Sequence, residues 1–171
     1  MDTSKIAQYL LFPGIIIHEL AHAFACVILN VPIKKIKWVG KDGGYVVHEN
    51  SKSYKIIIIA LFPFLFNILV SLIFARLFIL NEDIFVKLLS VWLASSALFF
   101  CVPSSQDTDN CISTLKESYT KKQSFLEILI KILLFPIPLA ILIISYIFKI
   151  LDKFTLFRVF LIVFWFYLFI I

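Results

Sequence analysis

The residues best suited to chemistry in this sequence lie in one short segment near its N-terminus. Residues 17–22 read Ile-His-Glu-Leu-Ala-His, so His18 and His22 are four residues apart and Glu19 follows the first of them. On an α-helix this spacing places both imidazoles on one face, about 6 Å apart along the axis, where they can reach a single ion. Glu19 then lies beside the ion and can take a proton from water held there. We expect a zinc site, because two histidines and a carboxylate leave a fourth position open for water.

An ordinary core position is the alternative for a buried histidine, but the composition of this segment argues against it. Three ionisable groups fall within five consecutive residues of an otherwise apolar run. Such groups are costly inside a membrane and are usually functional there. A bound cation would neutralise the carboxylate and give both imidazoles a partner.

The third protein ligand must come from elsewhere in the chain. The candidates are carboxylate, thiol and imidazole groups in or near the polar connections: Asp107, Asp109, Cys111, His48 and Glu117. Asp107 is favoured, because it follows an apolar run that ends at Pro103, where the backbone can turn back towards the membrane centre. A helix start is the competing interpretation, in which Ser104 or Ser105 caps a short helix and the aspartates favour its positive end.

The composition indicates the solvent of this protein. Hydrophobic residues make up 61% of the 171 residues and charged residues 16%, whereas soluble domains are less apolar and more charged. A soluble protein of this size could not bury so much Phe, Ile and Leu, and disorder is excluded as well. Membrane proteins keep Lys and Arg in cytoplasmic loops, which explains the net charge of +5, so no nucleic-acid partner is expected. The three cysteines show no paired spacing and indicate no disulfide.

Five segments are apolar and long enough to cross a bilayer, which takes about 20 residues. They cover residues 6–29, 56–80, 84–103, 125–150 and 154–171. The fifth segment is short and follows a tight turn at 151–153, so a re-entrant segment is the alternative there. We therefore expect an all-α polytopic membrane protein forming a single membrane domain over 1–171, with a catalytic core at 6–110 and C-terminal spans at 125–171. The first span is too long for the apolar part of a signal peptide and carries the histidines, so no cleavage is expected.

A β-hairpin is predicted at residues 33–48, between the first two spans. β-branched and aromatic residues flank Lys-Asp-Gly-Gly at 41–44, which is typical of a hairpin turn. We expect the hairpin to offer an edge strand to an extended substrate, with Gly43, Gly44 and Tyr45 among the substrate-binding residues. Asn67 in the second span needs hydrogen-bond partners, which an extended peptide or a neighbouring helix can supply.

The distribution of Lys and Arg indicates the orientation. When the spans alternate across the bilayer, ten of the sixteen fall on the side of the hairpin and of the 104–124 connection. Cytoplasmic loops are enriched in these residues. We therefore expect a multi-pass protein of the cell membrane whose active site faces the cytoplasm.

Together these motifs resemble the site-2 protease family of intramembrane zinc metalloproteases. The likeness rests on His-Glu-x-x-His in the first span, Gly-Gly-Tyr-Val at 43–46, a second span with Pro63 and Asn67, and an Asp just after the third span. It covers about residues 13–109. The chain departs from the family pattern with Pro-Ser-Ser-Gln-Asp in place of Asn-Pro or Leu-Asp-Gly, and with Phe62 instead of Gly before the proline. The resemblance therefore indicates a divergent, minimal member.

The resemblance implies an endopeptidase that cuts a transmembrane protein substrate within the lipid bilayer, near its cytoplasmic side. It implies that His18, His22 and Asp107 bind Zn²⁺ and that Glu19 is the catalytic base. Two other functions remain open. One is a non-proteolytic subunit of a larger assembly that keeps a structural or vestigial metal site, and the other is a transporter that uses the His and Asp side chains as an ion path.

Overall fold

The computed structural model describes residues 8–40, 43–120 and 136–169, and this part of the chain is mostly helical with one small antiparallel sheet. The helices and strands that position the site are α1 Phe12–Ile28, β1 Ile33–Lys37, β2 Tyr45–His48, α2 Ser53–Leu80, α3 Ile84–Phe99, α4 Ser105–Thr120, α5 Pro136–Leu151 and α6 Thr155–Phe169. The prediction of a helical fold with a hairpin at 33–48 is confirmed. The parts of the predicted spans at 6–7, 125–135 and 170–171 lie outside the described residues.

α1 carries the His-Glu-x-x-His segment on 17 residues and packs closely against α3. Pro13 lies in the first turn of α1, where its missing N–H removes no helical hydrogen bond. A Cβ atom at Gly14 would lie 2.0 Å from the Ser96 carbonyl oxygen, so only glycine permits this approach. The contact fixes α1 against the helix whose end leads to Asp107.

α2 is the longest described helix, with 28 residues and a length of about 42 Å. Its outward face is apolar, since Leu65, Leu69 and Ile73 are 67%, 56% and 52% exposed. Only 28% of its most apolar stretch is buried. α2 is the one helix in the described ranges that is long and apolar enough to cross a membrane, while α1, α3, α5 and α6 are apolar but shorter.

Two helical breaks lie next to each other, one between α3 and α4 and one between α5 and α6. α5 packs against α4 and the N-terminal half of α2, whereas α6 packs against α3 and the C-terminal half of α2. α5 and α6 therefore lie end to end along α2. Across the two breaks, Asp152 accepts hydrogen bonds from Ser105.

This arrangement places the described parts of the predicted spans at 125–150 and 154–171 on one path along α2. It also corrects the side assigned to two basic residues. Lys149 and Arg158 were expected on the opposite side of the bilayer from the 104–124 connection. Lys149 instead contacts Asp109, and Arg158 contacts the Phe99 carbonyl. A three-residue turn between two helices can either reverse the chain or let it continue in the same direction. Its composition does not distinguish these two courses.

The hairpin pairs β1 with β2 in antiparallel register, with Ile36 opposite Val46 and Lys37 opposite Tyr45. Gly43 has a φ of 99°, in the left-handed region that favours glycine. The loop between the strands lies over α1, where Gly44 packs against Glu19.

Candidate metal centre

His18 and His22 lie on the buried face of α1, with their Nε2 atoms 3.2 Å apart. Asp107 approaches both from the first turn of α4. Its Oδ2 lies 3.4 Å from His18 Nε2, and its Oδ1 lies 3.3 Å from His22 Nε2. Within the described ranges these three residues form the one group of potential ligands close enough to share an ion. The structure therefore brings together the three side chains that the sequence favoured as ligands.

Two backbone carbonyls fix the orientation of the imidazoles. His18 Nδ1 lies 2.7 Å from the Phe100 carbonyl oxygen, and His22 Nδ1 lies 2.8 Å from that of Ile59. Because a carbonyl only accepts hydrogen bonds, each Nδ1 must carry a proton, and each Nε2 is left facing Asp107. Metal-ligating histidines are commonly held in this way through their second nitrogen.

The Ile59 carbonyl is available to His22 because of Pro63. In an α-helix, the carbonyl of residue 59 would accept the N–H of residue 63, and proline has no N–H to donate. Pro63 is buried inside α2 and removes that competitor. The sequence alone could have identified this carbonyl, because a proline inside a helix frees the carbonyl four residues before it.

Ser104 holds the carboxylate of Asp107 in a capping box at the start of α4. Its N–H and hydroxyl donate to Asp107 Oδ2 at 3.0 and 2.6 Å, and its Oγ accepts from the Asp107 N–H at 3.2 Å. Helix capping and metal ligation were competing interpretations of Asp107. The geometry combines them, because the carboxylate that closes the capping box also faces the imidazoles.

The spacing of the donor atoms fits a divalent ion. Ligands about 2.0–2.1 Å from a tetrahedral zinc ion are about 3.3–3.4 Å from one another, and the separations here run from 3.2 to 3.4 Å. Without a cation, a proton on an imidazole Nε2 must hold these groups together. Burial alone would raise the pKa of Asp107, but the positive charge and hydrogen bonds of the imidazoles outweigh it and hold that pKa well below its usual range. The carboxylate is therefore ionised at neutral pH.

Glu19 lies between the metal ligands and the hairpin loop and is 6% exposed. Its carboxylate interacts electrostatically with both imidazoles and with Asp107. A Cβ atom at Gly44 would lie 2.5 Å from Glu19 Cγ and 2.8 Å from the Trp38 carbonyl oxygen, so the loop covers Glu19 with no room for a side chain. Glycine at this position sets how far the carboxylate can move.

A cavity of about 710 Å³ opens from the donor set. Glu19 lines it, together with β2 and with polar residues of α4 such as Gln106 and Asn110. Gly43, Gly44 and Tyr45 lie in its wall, where the sequence analysis expected substrate contacts. β1 contributes no lining residue among those described, so β2 is the strand of the hairpin that faces the cavity.

Asn67 does not line this cavity, contrary to the expectation that it contacts an extended substrate. It is completely buried, and its Nδ2 donates to the Phe100 carbonyl oxygen at 2.8 Å. The same carbonyl contacts His18 Nδ1. Asn67 therefore forms a hydrogen bond within the protein, which was the alternative interpretation. It helps to fix the Phe100 carbonyl that orients His18.

The other candidate ligands point elsewhere. Asp109 lies two residues beyond Asp107, about 200° around α4, and forms an ion pair with Lys149. His48 Nδ1 donates to the Glu49 carbonyl at the end of β2. Cys111 accepts a hydrogen bond from Ser145, and burial raises the pKa of its thiol, which disfavours the thiolate that binds metals. Glu117 is ten residues beyond Asp107, about 15 Å along the helix.

Three convergent donors, a neighbouring carboxylate and an open cavity form an arrangement suited to metal-assisted hydrolysis. The donors come from α1 and α4, and their supporting carbonyls come from α2 and from the segment after α3. A comparison of the chain with family models, with curated proteins and with solved structures finds no match.

Proposed function

We propose that this chain is a zinc-dependent intramembrane endopeptidase, similar to the site-2 proteases, that hydrolyses peptide bonds in or near transmembrane segments. The observation that carries the proposal is the convergence of His18, His22 and Asp107 beside Glu19 at the wall of an open cavity. Structural zinc sites are closed by four protein ligands, whereas catalytic sites keep three and an open position. Three donors converge in the described part of the chain, which supports a catalytic site.

Each residue of the site has a role in this reaction. Zinc bound there supplies a Lewis acid that polarises a carbonyl and lowers the pKa of water. The Glu19 carboxylate takes a proton from the attacking water and delivers it to the nitrogen of the leaving amine. His18 and His22 carry their protons at Nδ1, away from the reacting groups. The hairpin loop covers Glu19 at Gly44, so its carboxylate meets water only on the cavity side.

The proposed surroundings are a lipid bilayer crossed several times by the chain. The 61% hydrophobic composition supports this, as does the apolar outward face of α2. Residues on the outward faces of the C-terminal helices are also apolar, for example Ile147 at 48% and Val163 at 61% exposure. Lys34, Lys35 and Lys37 of β1 favour placing the hairpin and the cavity mouth on the cytoplasmic side.

The proposed substrate mode is pairing with β2. A helical substrate has its carbonyls engaged in hydrogen bonds and must become extended before cleavage, and an extended segment can add to a free strand edge. β2 lines the cavity next to Glu19, which places such a segment beside the donor set.

Proline substitutions along β2 test this mode. Val46 and Val47 are adjacent, so their N–H groups point to opposite edges of the strand. We expect one of Val46→Pro and Val47→Pro to block cleavage while zinc stays bound and the hairpin stays paired. Cleavage at the wild-type rate by both variants would exclude pairing with β2.

The activity itself is tested on the full chain in lipid nanodiscs with a transmembrane peptide library as substrate. We expect about one zinc per chain, lost in His22→Ala, and cleavage lost by about 10²–10⁴-fold in Glu19→Gln while zinc remains bound. Zinc binding without any cleavage that depends on Glu19 would instead support the non-proteolytic subunit. Absence of zinc from correctly folded wild-type protein would overturn the metal site.

A further inference from the structure

The α5–α6 break lies against the metal centre, although the C-terminal helices carry none of the motifs that indicated the site. Asp152, in the turn between these helices, accepts hydrogen bonds from the N–H of Ser105 at 3.0 Å and from its hydroxyl at 2.7 Å. Ser105 is the first residue of α4, and Asp107 lies in the same helical turn. The start of α4 is therefore held by Ser104, the residue just before the helix, and by Asp152 of the turn between α5 and α6.

Arg158 connects the same break to the other half of the donor set. It forms an ion pair with Asp152 and donates from Nη1 to the Phe99 carbonyl at 3.3 Å. Its guanidinium also lies 5.3 Å from the centre of the Phe99 ring. The next carbonyl along the chain, that of Phe100, is the one that orients His18.

The Asp152–Arg158 pair is expensive to bury. The side chains of Asp152 and Arg158 are 19% and 12% exposed. Removing two charges from water commonly costs more than their attraction returns, so an ion pair of this kind is weak evidence for a role in stability. Both residues line the same cavity as the metal ligands, and their hydrogen bonds end on the two segments that hold those ligands.

We propose that Asp152 and Arg158 are positioning residues of the metal centre: the pair clamps the α4 start and the 99–100 segment together, and so sets the distance between Asp107 and the imidazoles. This inference rests on the proposed metal site and extends it to α5 and α6. It makes the C-terminal helices part of the catalytic unit. Neither residue belongs to the donor set of His18, His22 and Asp107.

Asp152→Asn tests the clamp, with Asp109→Asn as its matched control. Both replace a carboxylate that links the α4 region to the C-terminal helices, but Asp109 pairs with Lys149 away from the donor set. We measure zinc affinity of the full chain by competition with a chromogenic chelator, and the visible absorption of the cobalt-loaded protein as a report of ligand geometry. We expect zinc affinity about tenfold weaker and an altered cobalt spectrum in Asp152→Asn. Asp109→Asn should match the wild type in both, and Asp152→Glu, which restores the carboxylate, should recover part of the loss.

The outcomes separate this inference from the proposed function. A folded Asp152→Asn with wild-type zinc affinity and cobalt spectrum overturns the clamp and leaves the metal site standing, whereas wild-type protein that binds no zinc overturns both. If Asp152→Asn fails to fold, Ser105→Ala replaces it, because that change removes only the hydroxyl donor to Asp152. A weaker zinc affinity in Ser105→Ala supports the clamp, and an unchanged affinity overturns it.

Discussion

At the residue scale, the carboxylate of Asp107 does two jobs with its two oxygens. Oδ2 accepts both hydrogen bonds from Ser104, and both oxygens face the imidazole nitrogens. A cap that fixes the ligand before the ion arrives reduces the rotamer freedom lost on binding. The proposed metal site would therefore be preorganised by the same contact that starts α4.

Ser104→Ala should therefore weaken the metal site more than it weakens the helix. We expect zinc affinity to fall by about 10- to 100-fold, as for other residues that orient metal ligands. Loss of the cap should cost about 1 kcal/mol of stability. Chelator competition measures the first effect and thermal melting the second. Ser113→Ala is the control, because that hydroxyl bonds only to the Asn110 carbonyl within α4; equal zinc affinities in the two variants would contradict the prediction.

Gly44→Ala should separate catalysis from metal binding. The added methyl group has no space beside Glu19 and the Trp38 carbonyl, so the base or the loop must shift. A displacement of about 1 Å can reduce turnover by about 100-fold, while the ligands on α1 and α4 are untouched. We expect cleavage to fall with one zinc still bound per chain. Full activity in this variant would show that the loop does not set the position of Glu19.

The donor set shows which residues of the site could be predicted from the sequence. The two histidines follow from helical spacing alone, because i and i+4 share a face wherever the helix lies. Asp107 could only be favoured over Asp109, since the choice depends on the rotation of α4 about its axis. An extended substrate and a neighbouring helix were both expected as partners of Asn67, because a buried amide needs hydrogen bonds without specifying their source. Its partner, the Phe100 carbonyl, lies on a distant segment that no local pattern specifies.

At the scale of elements, α2 contributes to the site by lacking a hydrogen bond. Because Pro63 has no N–H, the Ile59 carbonyl has no helical donor, and it accepts a hydrogen bond from His22 instead. A proline in a helix interior costs about 3 kcal/mol relative to alanine, so Pro63 lowers the stability of α2.

Pro63→Ala should stabilise α2 and weaken the site at once. The alanine N–H restores the helical bond to Ile59 and competes with His22 for that carbonyl. We expect a higher melting temperature of the zinc-free protein together with a lower zinc affinity. Leu65→Ala, on the exposed face of the same helix, should not change zinc affinity. A Pro63→Ala variant with undiminished affinity would show that His22 is held by other means.

The elements themselves were largely predictable, and their connections were not. The hairpin and the long apolar helices appear where residue pattern and turn chemistry placed them. The end-to-end course of α5 and α6 could not be foreseen from the local sequence. The turn at Asp152 is stabilised by Ser105, which is 47 residues away in the chain, and by Arg158, which lies in the following helix. Tertiary partners decided the direction of the chain there.

At the scale of the whole molecule, the described helices α2, α5 and α6 carry exposed apolar side chains, and several polar groups converge inside. The donor set, Glu19 and the Asp152–Arg158 pair all line one cavity. Such a distribution suits a protein whose outside meets acyl chains and whose inside must be wet. In the proposed reaction, water and substrate would share this cavity as their route to the site.

In the proposed bilayer, the short length of α1 would affect the lipids around it. Its 17 residues span about 26 Å, less than the hydrocarbon thickness of about 30 Å in a typical bilayer. A bilayer adapts to a short helix by compressing locally, which brings headgroups and hydration closer to the helix. We expect turnover to rise in vesicles made from shorter acyl chains and to fall in longer ones, at unchanged zinc occupancy; turnover insensitive to chain length would argue against it. The thickness of the membrane would then control the rate of hydrolysis.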